Sequence, residues 1–161
     1  MEIWLVRHAA AVERAEFPGS DADRPLTEKG SRRFAEFCDW LADRTAMPQV
    51  VISSPLVRAM ETAAILAKAA GLKKSAVIPT ELLAPAVDLP MLVDFAAQHA
   101  SPIVALAGHE PDMSRCLAQL VGGGEFTFGK GFIAVVEFAL SPEIGAGRLR
   151  WFCGPKLRST Q

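Results

Sequence analysis

Apolar and polar positions alternate along this chain in two rhythms. Short unbroken apolar runs recur at Ile3-Trp4-Leu5-Val6, Val50-Val51-Ile52, Ala76-Val77-Ile78 and Ile103 to Ala107. Runs of this length, bounded by polar or turn residues, read as buried strands; the first covers residues 2–7. Between them the period lengthens. Phe34, Phe37, Cys38 and Leu41 stand at i, i+3, i+4 and i+7, which predicts a helix with one apolar face. Ser54-Pro55 predicts a helix start, with serine as N-cap and proline at the first helical position; that helix runs to about Ala70, with Gly71 as its stop. A third helix is expected from about Asp88 to His99. Gly108-His109-Glu110-Pro111 then turns into a fourth, ending near Gly122-Gly123-Gly124. Phe132 to Leu140 is strand-like, and Arg148 to Cys153 reads as a closing strand. Pro18 to Pro25, with Gly19, Ser20, Asp21 and Asp23, is a polar loop.

Strands alternating with helices predict an α/β fold of three layers, a mostly parallel central sheet flanked by helices. No repeat, low-complexity stretch or linker divides the chain, so residues 1–161 are expected to form a single domain. Composition narrows the classes. Half the residues are apolar and 22% are charged, ordinary for a globular protein. A formal net charge of −1 argues against a dedicated nucleic-acid binder, which carries a basic excess. No apolar stretch is long enough to span a bilayer. Arg7 interrupts the only early apolar run and no basic stretch precedes it, so no signal peptide and a cytoplasmic location are expected. Cys38, Cys116 and Cys153 are widely spaced, which suits reduced thiols better than a disulfide frame or a zinc site.

The chemistry gathers at one edge of the predicted sheet. Arg7 and His8 end the first strand, Arg58 lies in the first turn of the helix after the second, and His109 follows the Ile103–Ala107 strand. Strand C-termini of a parallel sheet share one edge, where open α/β folds bind ligands. Helix N-termini at that edge add free N–H groups and partial positive charge. Taken singly, Arg58 reads as a solvated helix residue and His109 as a turn histidine bonded to backbone. Two arginines and two histidines at one edge read as an anion site, with phosphate the expected guest.

Arg7-His8, Leu26-Thr27-Glu28-Lys29-Gly30, Ser54-Pro55-Leu56-Val57-Arg58-Ala59 with Thr62, and Gly108-His109-Glu110-Pro111 resemble, in order, the motifs of the histidine phosphatase superfamily. The Arg24-Pro25-Leu26-Thr27 run, the Gly-His-x-Pro form and the short chain resemble its SixA-type phosphohistidine phosphatases. The resemblance is dense from Met1 to about Ser114; from there to Gln161 it rests on strand pattern. Two positions depart from it. Ala9 replaces the glycine usual after the histidine, which is harmless unless that position needs a positive φ. Glu61 replaces a glutamine, and is expected either to pair with Arg58 or to point to solvent.

The resemblance implies a phosphoglycerate-mutase-like fold and hydrolysis without a metal or other cofactor. His8 attacks phosphorus and forms a phosphohistidine intermediate, and Arg7, Arg58 and His109 bind the nonbridging oxygens. A carboxyl group protonates the leaving group. Glu81, after the third strand, is the candidate by position, ahead of Asp88, Glu13 and Asp21. The substrate implied is phosphohistidine on a protein, whose imidazole leaving group depends less on a strong acid than an alkoxide does. The rival is a small-molecule phosphomonoesterase. Mutases of the superfamily are longer, with insertions that cap the site, whereas this chain has little length for a lid.

Other motifs lead nowhere. Gly124 to Lys130 has Walker A spacing, but Gly131 stands where Ser or Thr is required, and a strand, not a helix, follows. Lys130 remains a candidate for meeting substrate phosphate at the mouth of the site. His109-Glu110 opens no zinc-protease motif, because Met113 occupies the second histidine position. A non-catalytic phosphate- or nucleotide-binding module is the alternative from another class; it would keep the arginines but have no need of His8. Trp4 and Trp40 read as core, and His99 as a helix-end residue.

Overall fold

A computed structural model describes residues 1–156. Six strands form one sheet: β1 (Glu2–Arg7), β2 (Val50–Ser53), β3 (Val77–Pro79), β4 (Ile103–Gly108), β5 (Ile133–Glu137) and β6 (Arg148–Cys153), in the order β3-β2-β4-β1-β5-β6. β3, β2, β4 and β1 are parallel, while β5 and β6 close the far side antiparallel. The register sets Arg7 beside Gly108 and Ser53 beside Ala107, so the ends of β1 and β4 are level and that of β2 falls one residue short.

The buried strands divide their side chains by the two-residue period of a pleated sheet. Trp4, Val6, Val51 and Ala105 enter one core cluster. Ile3, Leu5, Ile52 and Leu106 enter the other. The first face is covered by α1 (Glu28–Ala42), through Phe34, Phe37 and Leu41, and by α2 (Val57–Ala69), through Ala63, Leu66 and Ala67. The second is covered by α3 (Leu89–Ala97), through Leu92 and Ala96, and by α4 (Asp112–Leu120), through Met113 and Leu117. Leu66, Leu92 and Leu117 are fully buried, each contributing about 1.5–3 kcal/mol by leaving water. The predicted three layers are present. No described helix is long and apolar enough to cross a membrane, and Cys38, Cys116 and Cys153 are free.

Several boundaries differ from the expectations: β3 covers Val77–Pro79 and not 76–78, α3 stops at Ala97 and α4 at Leu120, and two further differences have a visible cause. Ser54 is not the N-cap of α2: its N–H still follows the sheet ladder, donating to the Ala107 carbonyl at 2.9 Å, and Leu56 is the cap residue, with no side-chain bond. The Phe132–Leu140 strand is shorter, only Ile133–Glu137, because the ladder with β1 ends where β1 begins at Glu2.

Candidate active site

The Leu26–Gly30 motif is an assembly device for the backbone after His8. Thr27 caps α1, its hydroxyl accepting the Gly30 N–H at 2.9 Å, while its own N–H donates to the Ala10 carbonyl at 2.9 Å. Gly30 packs so closely that a Cβ there would lie 2.2 Å from the Ala10 oxygen. The helix start is thereby clamped on the chain two residues past His8.

His8 itself is buried just beyond β1. Its N–H donates to the Gly108 carbonyl and its own carbonyl accepts the Gly131 N–H, both at 3.0 Å. Its Nδ1 lies 2.8 Å from the Ala9 carbonyl. A carbonyl only accepts, so Nδ1 carries the hydrogen and Nε2 the lone pair. Burial pushes the His8 imidazole down to about 3, against the Ala9 hydrogen bond that raises it. The charges of His109, Arg58 and Arg7 lower it further. The ring is therefore neutral near pH 7. Ala9 is also buried, and its N–H donates to Thr62 Oγ1 at 3.0 Å. Among the described residues, the non-glycine residues with positive φ are Ala86 and Ala100, so Ala9 has ordinary backbone and alanine suits the place of the family's glycine.

Thr62 relays this order to Arg58, its hydroxyl donating to the Arg58 carbonyl at 2.7 Å. The buried Arg58 guanidinium is gripped by Asp21. Nη1 donates to the Asp21 carbonyl at 2.7 Å, and Nη2 lies 3.1 Å from the carboxylate. Burial lowers the Arg58 pKa and the Asp21 charge raises it, with a net downward shift; a guanidinium stays cationic nonetheless. Arg24 holds Asp21 from the other side, Nε to Oδ1 at 3.0 Å. Burial raises the Asp21 carboxyl, while the Arg24 hydrogen bond and the charges of Arg58 and Arg24 bring it below the usual carboxylate value. On the sheet's far side Arg7 donates from Nη1 to the Phe128 carbonyl at 2.6 Å.

His109 follows β4. Its ring centroid is 5.3 Å from that of His8, and its Nε2 is 2.8 Å from Ser54 Oγ. Burial, followed by the charge of Arg58, lowers it to about 4, against Asp21, which raises it. Four buried side-chain polar atoms among the described residues have no hydrogen-bond partner, and three belong to this group: Arg7 Nε, Arg58 Nε and His109 Nδ1. The fourth, His99 Nε2, lies past α3 in a ring edge-on to Phe95. Buried polar groups are nearly always satisfied. Three unsatisfied nitrogens on residues whose charges act on a neutral His8 with an unengaged Nε2 form a set complementary to a small oxyanion.

Among the remaining candidates, only Asp21 has a described bond to these four side chains. Glu81 opens a 3-10 turn, Glu81–Leu83, at the end of β3; its exposed side chain makes no described hydrogen bond or ion pair. Asp88 caps α3, accepting the Met91 N–H at 3.1 Å. Lys130 and Glu13 pair with each other at 3.1 Å, and Lys130 borders a cavity of about 790 Å³ together with Ala9, Ala10, Gly30 and Phe132. Of the four acids, only Asp21 touches Arg58. Glu61 does not pair with Arg58: its carboxylate accepts the Leu26 N–H at 2.7 Å, so it anchors the motif at the start of α1. Ser54, as the partner of His109, was not foreseen as a site residue; the Ser-Pro pair at the end of β2 was its only signal.

The sequence profile of the histidine phosphatase superfamily (branch 1) matches residues 3–83, half of the chain. The chain belongs to the histidine phosphatase superfamily. Its motifs at Arg7-His8, Leu26–Gly30 and Ser54–Thr62 lie within the matched stretch, and the fold is that of other histidine phosphatases. The structure of the protein histidine phosphatase SixA complexed with tungstate is similar over 98% of this chain and 99% of that one, with 24% identity and a TM-score of 0.85. A protein of Agrobacterium tumefaciens provisionally named phosphohistidine phosphatase SixA is 27% identical, covering 96% of this chain and 97% of its own, with a TM-score of 0.79. The mycobacterial glucosyl-3-phosphoglycerate phosphatase shares the fold at 16% identity and a TM-score of 0.66, over 92% of this chain and 96% of its own. A curated relative, an uncharacterized protein of Picosynechococcus sp., is 41% identical over 69 residues. That match spans 43% of this chain and 41% of the relative's length.

Proposed function

We propose that this histidine phosphatase superfamily member is a phosphatase that removes the phosphoryl group from phosphohistidine on a protein, with His8 carrying the group in transit. The observation behind this reading is the state of His8: neutral, its Nδ1–H fixed on the Ala9 carbonyl, its Nε2 lone pair unengaged. Nε2 attacks phosphorus in line with the leaving nitrogen, the P–N bond of the substrate breaks, and the departing imidazole takes a proton from solvent. Water then adds to phosphorus, the P–Nε2 bond breaks, and phosphate leaves with His8 restored. Arg7, Arg58 and His109 donate to the nonbridging oxygens as charge spreads over them. Two guanidinium groups and an imidazole supply the compensation a metal ion gives elsewhere, so the reading is of a metal-independent enzyme. It treats residues 1–161 as one domain.

The protein substrate is supported by likeness to the SixA structures and by the short connections beside the site. Residues 54–56 and 109–111 join strand to helix in three residues each, which provides no length for a cap at those points. Substrates held on a protein surface suit such a site better than enclosed metabolites.

The test is a side-by-side assay of a phosphohistidine-bearing protein and a panel of phosphate esters, with His8→Ala and Arg58→Ala as variants. Phosphohistidine is expected to turn over faster, with an acid-labile, base-stable label trapped on the parent enzyme and missing from His8→Ala. Arg58→Ala should lose on the order of 10²–10³ in kcat, as for loss of an oxyanion donor. A parent enzyme faster on esters would make it a small-molecule phosphomonoesterase. Full activity in His8→Ala would remove the mechanism, and binding without turnover would leave a phosphate-binding module.

A further inference from the structure

The segment between α4 and β5, residues 121–132, contains neither helix nor strand, yet it carries the contacts that hold Arg7 and His8. The Arg7 N–H donates to the Phe132 carbonyl and the Gly131 N–H to the His8 carbonyl, both at 3.0 Å, while Arg7 Nη1 reaches the Phe128 carbonyl at 2.6 Å. The backbone entering this segment passes through Gly122, Gly123 and Gly124, all with positive φ, so its own conformational preferences restrain it little. Two things pin it. The Phe128 ring is fully buried, 4.7 Å from the Phe152 ring. And one carboxylate oxygen of Glu110 accepts both the Phe128 N–H at 3.0 Å and the Ser114 hydroxyl at 2.7 Å. Phe128 is thus gripped at its N–H by Glu110, and at its carbonyl it grips Arg7. A charged acceptor makes the stronger kind of hydrogen bond. Glu110 is also the residue after His109, so a single run of bonds joins the turn that carries His109 to the guanidinium of Arg7.

We infer that Glu110 is a positioning residue for Arg7, acting through the Phe128 backbone to fix the Arg7 guanidinium relative to His109. This rests on the proposed role of Arg7 in holding the phosphoryl group. Glu110 meets no reacting atom; what it determines is where the unpartnered Arg7 Nε points.

The test is a double-mutant cycle read in kcat and in tungstate affinity, with circular dichroism and urea midpoints to establish that each variant is folded. Glu110→Ala should lower kcat roughly 10- to 100-fold, the range in which a displacement of about 1 Å is felt, and weaken tungstate binding. Glu110→Gln keeps an oxygen for the same two donors and should recover most of the loss. Glu110→Asp, too short to reach Phe128, should behave like alanine and carries the same test should the alanine variant not fold. In an Arg7→Ala background the Glu110 substitution should cost less than about twofold more, and in an Arg58→Ala background its full factor, because only the first pair is coupled. Equal cost in both backgrounds would overturn the inference and make Glu110 a general support of the fold. An Arg7→Ala enzyme with parental rate and tungstate affinity would overturn the role of Arg7 and this inference together.

Discussion

Ser54 Oγ stands 2.8 Å from His109 Nε2, so the hydroxyl at the end of β2 fixes the imidazole at the end of β4 and leaves Nδ1 as its unpartnered nitrogen. Ser54 Oγ also accepts the Leu56 N–H at 3.4 Å. When the hydroxyl donates to Nε2, the ring hydrogen resides on Nδ1, and a neutral His109 still presents a donor to an oxyanion.

Ser54→Ala should therefore act as a weak copy of His109→Ala. A buried nitrogen left without its partner costs about 1–3 kcal/mol, so a fall in stability of that order is expected, with roughly a tenfold lower kcat. In a His109→Ala background the Ser54 substitution should leave kcat unchanged. Paired kinetic and urea-unfolding measurements check both; a further loss of kcat in that background would place Ser54 outside this pair.

Acid should unfold the protein in a window set by the two histidines. Both are held below their ordinary value of 6.5, His8 at about 3 and His109 at about 4. Above pH 6.5 they are neutral in the folded and unfolded chains alike. As pH falls below 6.5 the unfolded chain takes up protons that the folded chain refuses, and stability declines until the folded values are reached. Urea midpoints taken from pH 7.5 to 4 should fall, and the fall should be shallower in a His8→Gln, His109→Gln double variant. Ring-proton NMR gives a direct check: the His8 and His109 signals should hold still between pH 7.5 and 5.5.

Gly30→Ala should damage fold and site together. The added Cβ would sit 2.2 Å from the Ala10 oxygen, which is backbone and has no flexible end to swing away. Overpacking of this kind costs about 1–3 kcal/mol. The same oxygen receives the Thr27 N–H and hydroxyl, so the segment after His8 must shift and kcat should fall as well. A stable, fully active variant would show that α1 can move off without disturbing His8.

Glu81→Gln should separate the two substrate classes. An alkoxide needs a proton as it leaves, and general-acid help is worth about 10²–10⁴, whereas a protonated imidazole leaves without it. Ester hydrolysis should drop far more than phosphohistidine hydrolysis. No loss on either substrate would make Glu81 an ordinary loop carboxylate.

The strands and the two core faces were legible because their signals are local: apolar runs for β1, β2 and β4, and the 3.6 period for α1. The gathering of Arg7, His8, Arg58 and His109 was legible because they sit at chain positions where a parallel sheet puts every strand end on one edge. What escaped was the work of acceptors. Ser54 carries a helix-cap signal, but the β ladder extends one residue further and hands its hydroxyl to His109. Glu61, one turn from Arg58, instead takes a backbone N–H from a loop 35 residues away in sequence. Asp21 could be named as an acid but not as the partner of Arg58, since that pairing depends on how the 12–25 loop lies over α2. Each of these is a long-range pairing between a side chain and a distant segment, and periodicity carries no trace of it.

The nearly level ends of β1, β4 and β2 have a consequence for how the site is lost. His8, His109 and Ser54 each follow directly on one of three neighbouring strands, about 4.8 Å apart from strand to strand. The spacing of His8, His109 and Ser54 is therefore dictated by the central hydrogen-bond ladder of the sheet, the last part of such a fold to open. On this geometry the trio is expected to loosen only with the sheet. In a denaturant titration its oxyanion affinity should vanish along the same curve as the sheet, while the grip of Asp21 on Arg58, carried on a surface turn, is free to release earlier.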